Sequence, residues 1–154
     1  MGILRDDLFA IFNEGMTATA YITGVGRYLP GEPVSNDQIA DRLGGEDDRT
    51  ERIRRRILAA NGIRERYYAL DENGDTTELN EELAVKAVRA ALADRGLHAQ
   101  DLGMLACATT QGDLLVPGFA SMVHGRLGGG AMQLLTAAGV CASSLAALDA
   151  AVAK

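Results

Sequence analysis

The chain has 154 residues, a formal net charge of −6 at pH 7, 47% hydrophobic and 23% charged residues, 3 prolines and no tryptophan. That length can bury a core of its own, and that balance is typical of a soluble globular protein, neither disordered nor fibrous. The acidic balance argues against a nucleic-acid surface, which needs a basic face, and no run approaches the roughly 18 apolar residues of a membrane span.

The opening segment, MGILRDDLFAIFNEG, carries acids inside its apolar run and fails as a secretory signal. Its Met-Gly start lacks the Ser or Thr that a myristoylation signal wants. Two cysteines, Cys107 and Cys141, and two histidines, His98 and His124, make no zinc spacing, so no metal is expected. A reduced, cytoplasmic setting fits these features.

In chain order, Ile3, Leu4, Leu8, Ile11 and Phe12 recur at a helical period, and residues 1–17 read as an N-terminal helical extension. Thr19 to Gly26 is rich in β-branched and aromatic residues and predicts a strand. Ser35-Asn36-Asp37-Gln38 has capping-box spacing and opens a helix through Leu43. A basic helix from about Arg49 to Ala60 is closed by Asn61-Gly62. Gly62 to Leu70 is expected to be extended, and Asp71 to Asp75 to form a polar loop.

Thr76 or Thr77 is expected to cap a long helix whose buried face is Leu79, Leu83, Val85, Ala87, Val88, Ala91 and Leu92, ended by Arg95-Gly96. The apolar run Met104 to Thr110 predicts a strand buried on both faces. Pro117 suits the first turn of a helix reaching about Leu127, which Gly128 to Gly130 break. Ala131 to Thr136 reads as another buried strand, and helix resumes after Val140. Alternating buried strands and helices predict an α/β fold with a mostly parallel sheet and helices on both faces.

The candidate chemistry lies in AAGVCASSLAAL, residues 137–148. A thiol at the first turn of a helix faces unpaired N–H groups and the positive dipole end, an environment that favours a thiolate. The small neighbours Gly139, Ala142, Ser143 and Ser144 leave room for a substrate. Spacing alone favours an inert buried cysteine. Cys107, between Ala106 and Ala108, reads as small buried core. GVGRYLPG lacks the third glycine of a dinucleotide fingerprint. DENGDTTELNEE puts acids at calcium-loop positions, but Thr76 stands where the loop needs Gly, so it reads as a solvated turn.

Four stretches in order resemble the β-ketoacyl-acyl-carrier-protein synthase III family of the thiolase superfamily: ITGVGRYLPGEPVSND, NGIRERYYA, LACATT with the following HGRLGG, and AGVCASSLAAL. The resemblance implies a thiolase-like fold. It also implies that 18–154 is an incomplete N-terminal half, stopping inside the nucleophile helix. Cys141 would be the nucleophile, its backbone N–H one oxyanion donor.

Substrate-binding positions implied by the same resemblance are Val116, Arg56 and Asn61. Arg56 and Ala60 stand where the family places a Trp and an Arg on the adenine end of coenzyme A. That departure favours an acidic acyl-carrier protein facing the cluster Arg49, Arg52, Arg54, Arg55 and Arg56. Val116 stands where short-primer enzymes carry a bulky aromatic and olefin-forming relatives a Glu, which implies either a roomier acyl pocket or a plain interface hydrophobe, and counts against the olefin-type reaction.

The implied reaction is condensation of an acyl group on Cys141 with a malonyl thioester, in fatty acid or polyketide biosynthesis. Acyl-carrier-protein or acyl-coenzyme A thioesters would be substrates and no cofactor is needed. The partners would be a second copy in a homodimer and a C-terminal half supplying His and Asn; without that half this chain is expected not to condense anything. Alternatives are an ester-forming acyltransferase variant of the same fold and a non-catalytic partner subunit.

Overall fold

The computed structural model describes residues 20–39 and 48–154. The expected helical extension over 1–17, and all but the first residues of the helix expected to reach Leu43, lie outside the described residues. The elements are β1 (Val34–Ser35), α1 (Asp48–Asn61), β2 (Glu65–Arg66), α2 (Asn80–Arg95), β3 (Met104–Thr109), α3 (Phe119–Leu127), β4 (Gln133–Ala138) and α4 (Ser143–Val152). Short 3₁₀ turns occupy Ala99–Asp101 and Val140–Ala142.

β3 and β4 pair in parallel, from Met104 opposite Gln133 to Thr109 opposite Ala138. Alternate β3 side chains, Leu105 and Cys107, meet Val85 of α2 and Phe119, Ala120, Val123 and Leu127 of α3 in one buried cluster. Val123 is wholly inaccessible (0%), and burying a side chain of that class stabilises a fold by about 1.5–3 kcal/mol. Helix α4 also packs on both strands, and its buried Ser143 and Ala147 stand outside that cluster. The arrangement is α/β, a parallel strand pair packed by helices. β1 and β2 form a separate antiparallel pair, Val34 opposite Arg66 and Ser35 opposite Glu65.

Several local expectations hold. Gln38 Oε1 accepts from both the backbone N–H and the hydroxyl of Ser35 at 3.0 Å, the reaching-back arm of the expected capping box. Gly96 (φ 64°) ends α2 and Gly128 (φ 74°) ends α3 in the left-handed conformation. Asp71 Oδ1 accepts from the N–H groups of Asn73 (2.8 Å) and Asp75 (2.9 Å), closing a solvated turn.

Others are corrected. Residues 20–30 form no strand: Tyr21 and Ile22 are each 80% exposed, and the segment lies along α2. β-propensity favours an extended backbone, but a strand exists only where a ladder partner is present. Neither Thr76 nor Thr77 caps α2. Thr76 bridges Leu70 and the Thr77 N–H bonds the Ala69 carbonyl, so both are taken by the preceding turn and the helix begins at Asn80.

Leu79, expected in the core, is 40% exposed. Of Gly62 to Leu70 only Glu65–Arg66 is a strand. Pro117 precedes α3 rather than entering it, with Gly118 as the capping residue. β4 is largely exposed, Leu134 at 40%, because among the described residues no strand lies along its second edge.

Candidate active site

Between β4 and α4 the backbone turns within a few residues. Gly139 (φ 154°, ψ 45°) leaves the strand, and Val140 follows at φ 51°. A β-branched residue at positive φ is a true outlier and costs on the order of 1–3 kcal/mol. The Ala142 N–H bonds the Gly139 carbonyl (3.3 Å), and Ser143 Oγ donates to the Val140 carbonyl (2.9 Å). Ser143 is 6% exposed, whereas Cys141 between these anchors is exposed. The strain is thus held by hydrogen bonds on both sides of a solvent-accessible thiol.

Cys107 is the opposite case. It lies in the core at 8% exposure, and burial pushes its thiol up to about 11. The reading of Cys107 as inert core agrees with this placement.

The loop after β3 emerges at the same edge of the parallel pair as the Cys141 turn, because Thr109 and Ala138 are opposite each other. Loops at the carboxyl ends of parallel strands are where α/β proteins build sites. Asp113 fixes this loop: its carboxylate accepts from the Asn80 backbone N–H (3.1 Å) and from Asn80 Nδ2 (2.9 Å). An anion there also suits the positive end of α2. Beyond it Leu114, Leu115 and Val116 are 57%, 98% and 84% exposed, and the Val116–Pro117 peptide is cis. Thr136 of β4 accepts from the Ala120 N–H through Oγ1 (2.9 Å), tying the start of α3 to the strand that carries Cys141.

The structure therefore brings the Cys141 and Val116 segments to one edge, and it does not bring Arg56 or Asn61 there. Both lie on α1, which packs beside Asn36 and Asp37. Arg56 is exposed. Asn61 Oδ1 accepts from the Ile63 N–H (2.9 Å), so its amide closes the helix end. His124 Nε2 lies 3.0 Å from the Gly130 carbonyl and His98 precedes the 3₁₀ turn, neither beside the thiol.

Sequence reasoning missed Asp113 and Thr136, whose partners lie 33 and 16 residues away. It took Ser143 only for a small neighbour; a hydroxyl three residues after a carbonyl was the available signal. A cleft of about 450 Å³ lined by Thr77, Glu78, Glu82, Lys86, Arg89 and Arg126 holds no cysteine or histidine. There Arg126 bonds Glu81 (3.0 Å) and Glu82 (2.7 Å), and Lys86 pairs with Glu78.

No family model matches the chain. It is 38% identical over 133 residues to β-ketoacyl-[acyl-carrier-protein] synthase III of Rhodobacter capsulatus, covering 86% of this chain and 37% of that protein. Among solved structures, a tetronic acid condensing enzyme matches with TM-score 0.68 and 26% identity over 83% of this chain and 38% of its own. The 3-oxoacyl-(acyl carrier protein) synthase III of Xanthomonas oryzae pv. oryzae matches with TM-score 0.64 and 25% identity over 85% of this chain and 38% of its own. The chain thus spans between a third and two fifths of the length of these relatives. On the strength of this likeness the chain belongs to the β-ketoacyl-acyl-carrier-protein synthase III family of the thiolase superfamily, and corresponds to part of the length of such proteins.

Proposed function

We propose that this chain is the nucleophile-bearing portion of a ketosynthase III-like condensing enzyme of fatty acid or polyketide biosynthesis. The observation that carries the reading is the exposed Cys141 on a strained turn held from both sides. Strain of this kind persists where the surrounding structure over-determines it, which is common at active sites.

The Cys141 thiolate attacks the carbonyl carbon of an acyl thioester, and the carrier's thiol departs. The backbone N–H of Cys141 donates to the developing oxyanion. A malonyl thioester then loses carbon dioxide, its carbanion attacks the acyl-enzyme carbonyl, and the Cys141 thiolate leaves. A His and an Asn from the remainder of the enzyme steady the enolate. The exposed Leu114–Val116 loop suits a contact with a second copy in a homodimer, where Val116 leaves room for a longer acyl chain. No cofactor enters this chemistry. The setting is cytoplasmic; no described helix is long and apolar enough to cross a membrane.

The test is intact mass after exposure to acyl-carrier-protein and acyl-coenzyme A thioesters. One acyl adduct that Cys141→Ala removes and Cys107→Ala retains supports the reading. No adduct on Cys141 with either donor sinks it.

A further inference from the structure

The first turn of α2 is a junction. There the Leu79 N–H donates to Glu82 Oε2 (2.9 Å), and the Asn80 N–H and Nδ2 donate to the Asp113 carboxylate. Glu81 Oε1 lies 3.0 Å from both Nε and Nη2 of Arg126, and Glu82 Oε1 lies 2.7 Å from its Nη1. Arg126 belongs to the last turn of α3, and its carbonyl accepts from Arg89 Nη2 (3.3 Å), farther along α2. One short stretch of α2 therefore holds the loop after β3, through Asp113, and the helix that follows this loop, through Arg126.

Stability alone does not account for the second attachment. The Glu81 side chain is 5% exposed, and its Oε2 is buried without a hydrogen-bond partner among the described residues. Two carboxylates share one guanidinium. Ion pairs contribute little net stability, exposed or buried, and apolar side chains in place of a buried pair serve as well or better. What this one adds is direction. The apolar cluster of Val85 with Phe119, Val123 and Leu127 is non-directional and tolerates sliding. Charge-assisted bonds of 2.7–3.0 Å to a planar guanidinium do not. Arg126 thus sets how far α3 stands along α2.

Helix α3 is one piece of 9 residues, so a displacement at Arg126 passes to Gly118 and to Pro117 before it. Between Asp113 and Gly118 only Leu114 to Pro117 remain. Leu114, Leu115 and Val116 are too exposed to hold their own place by packing. The separation of the two attachments therefore decides the path of this span, and with it where Val116 stands at the edge that carries Cys141.

We propose that Arg126 and Glu81 are positioning residues for acyl-chain selection: they fix the register of α3 on α2, and that register sets the Val116 span. The inference rests on the reading that Cys141 is acylated and that Val116 borders the acyl chain.

The experiment offers the full chain an equimolar mixture of acetyl and octanoyl N-acetylcysteamine thioesters and reads the ratio of the adducts on Cys141 by intact mass. Val116→Phe calibrates the readout and should shift the ratio toward acetyl. The double variant Glu81→Met/Arg126→Met removes both charges and should unfold at the same denaturant concentration as the parent, or a higher one. It should nevertheless change the ratio about threefold or more. Arg126→Lys keeps the charge but meets the carboxylates as a single point, and should give an intermediate ratio. Hydrogen exchange over residues 112–118 should quicken in the double variant.

A double variant as stable as the parent with an unchanged ratio would overturn the proposal and leave the nucleophile reading intact. A double variant that is less stable would show the junction to be a structural tie only, and would overturn the proposal equally. An unchanged ratio in Val116→Phe removes the reading of Val116 and the proposal with it. Absence of both adducts from the parent chain sinks the nucleophile reading itself, and the inference that rests on it.

Discussion

Ser143 Oγ donates to the main-chain carbonyl of Val140 at 2.9 Å, and so spans the exposed Cys141 with a buried hydroxyl. Two residues of ordinary type thereby hold a backbone conformation that neither would adopt alone. Ser143→Ala leaves the Val140 carbonyl without this partner and should cost about 1 kcal/mol of stability. Val140→Gly removes the positive-φ penalty and should raise stability by about 1 kcal/mol. Chemical denaturation of the two variants checks both signs. Both should also slow acylation of Cys141, because each loosens the turn.

The two thiols should react in sequence. At pH 8, iodoacetamide should modify Cys141 and spare Cys107, and peptide mapping reads the result. Burial raises the Cys107 thiol from 9.0 to about 11. The folded state therefore keeps its proton where the unfolded chain has lost it, so Cys107 makes stability fall as pH rises from about 9 through about 11. Cys107→Ala should flatten that part of the stability profile while lowering stability at neutral pH. Labelling of Cys107 as fast as Cys141 at pH 8 would contradict the buried placement.

Asp113 joins the loop after β3 to the start of α2 through two bonds to Asn80. Asp113→Ala should cost about 1 kcal/mol, a charge-assisted bond at a helix N-terminus being at stake. Hydrogen exchange should accelerate at the Asn80 amide, and proteolysis should increase over residues 110–117. Unchanged exchange at Asn80 would show the contact to be idle.

Gly26 lies so close to α2 that a β-carbon there would overlap the Ala91 nitrogen and the Ala87 carbonyl. Gly26→Ala should displace the 20–30 segment and cost about 1–3 kcal/mol, the range for overpacking. The accompanying sign is loss of the Tyr28–Glu78 hydrogen bond (2.7 Å) and of the Lys86 contact over the Tyr28 ring (4.4 Å to the centroid). Tyr28 fluorescence reports both. Gly103→Ala, where a β-carbon meets nothing within 4 Å and the backbone φ is not positive, should not produce the Tyr28 change.

What was legible in the sequence had a local cause. β3 was visible as an apolar run of small and branched residues, and the ends of α2 and α3 as Gly96 and Gly128. The strand-to-helix turn at Cys141 was visible in Gly139 and the small residues after it. The thiol's role was not: spacing alone favoured an inert cysteine, and only the resemblance of the four ordered stretches weighed against that.

What was hidden depended on distant partners. The extended segment 20–26 has strand composition, but pairing is decided by what lies alongside. The start of α2 is set by Asp113 and by the use of Thr76 and Thr77 in the preceding turn, neither of which helical periodicity reveals. The exposed face of α1 was read as a cluster of five arginines. The pairing of Glu51 with Arg54 and Arg55 required side-chain geometry.

The parallel register of β3 and β4 makes the height of the thiol a counted length. Cys141 stands three positions past Ala138, which is level with Thr109. A slip of one position would lower the sulfur by about 3.3 Å and exchange the faces of Leu135 and Thr136. Thr136 Oγ1 would then lose the Ala120 N–H. That bond works as a detent: it clicks into place at one setting of the strand, and at that setting the Cys141 thiol stands clear at the edge of the sheet that also carries the loop after β3.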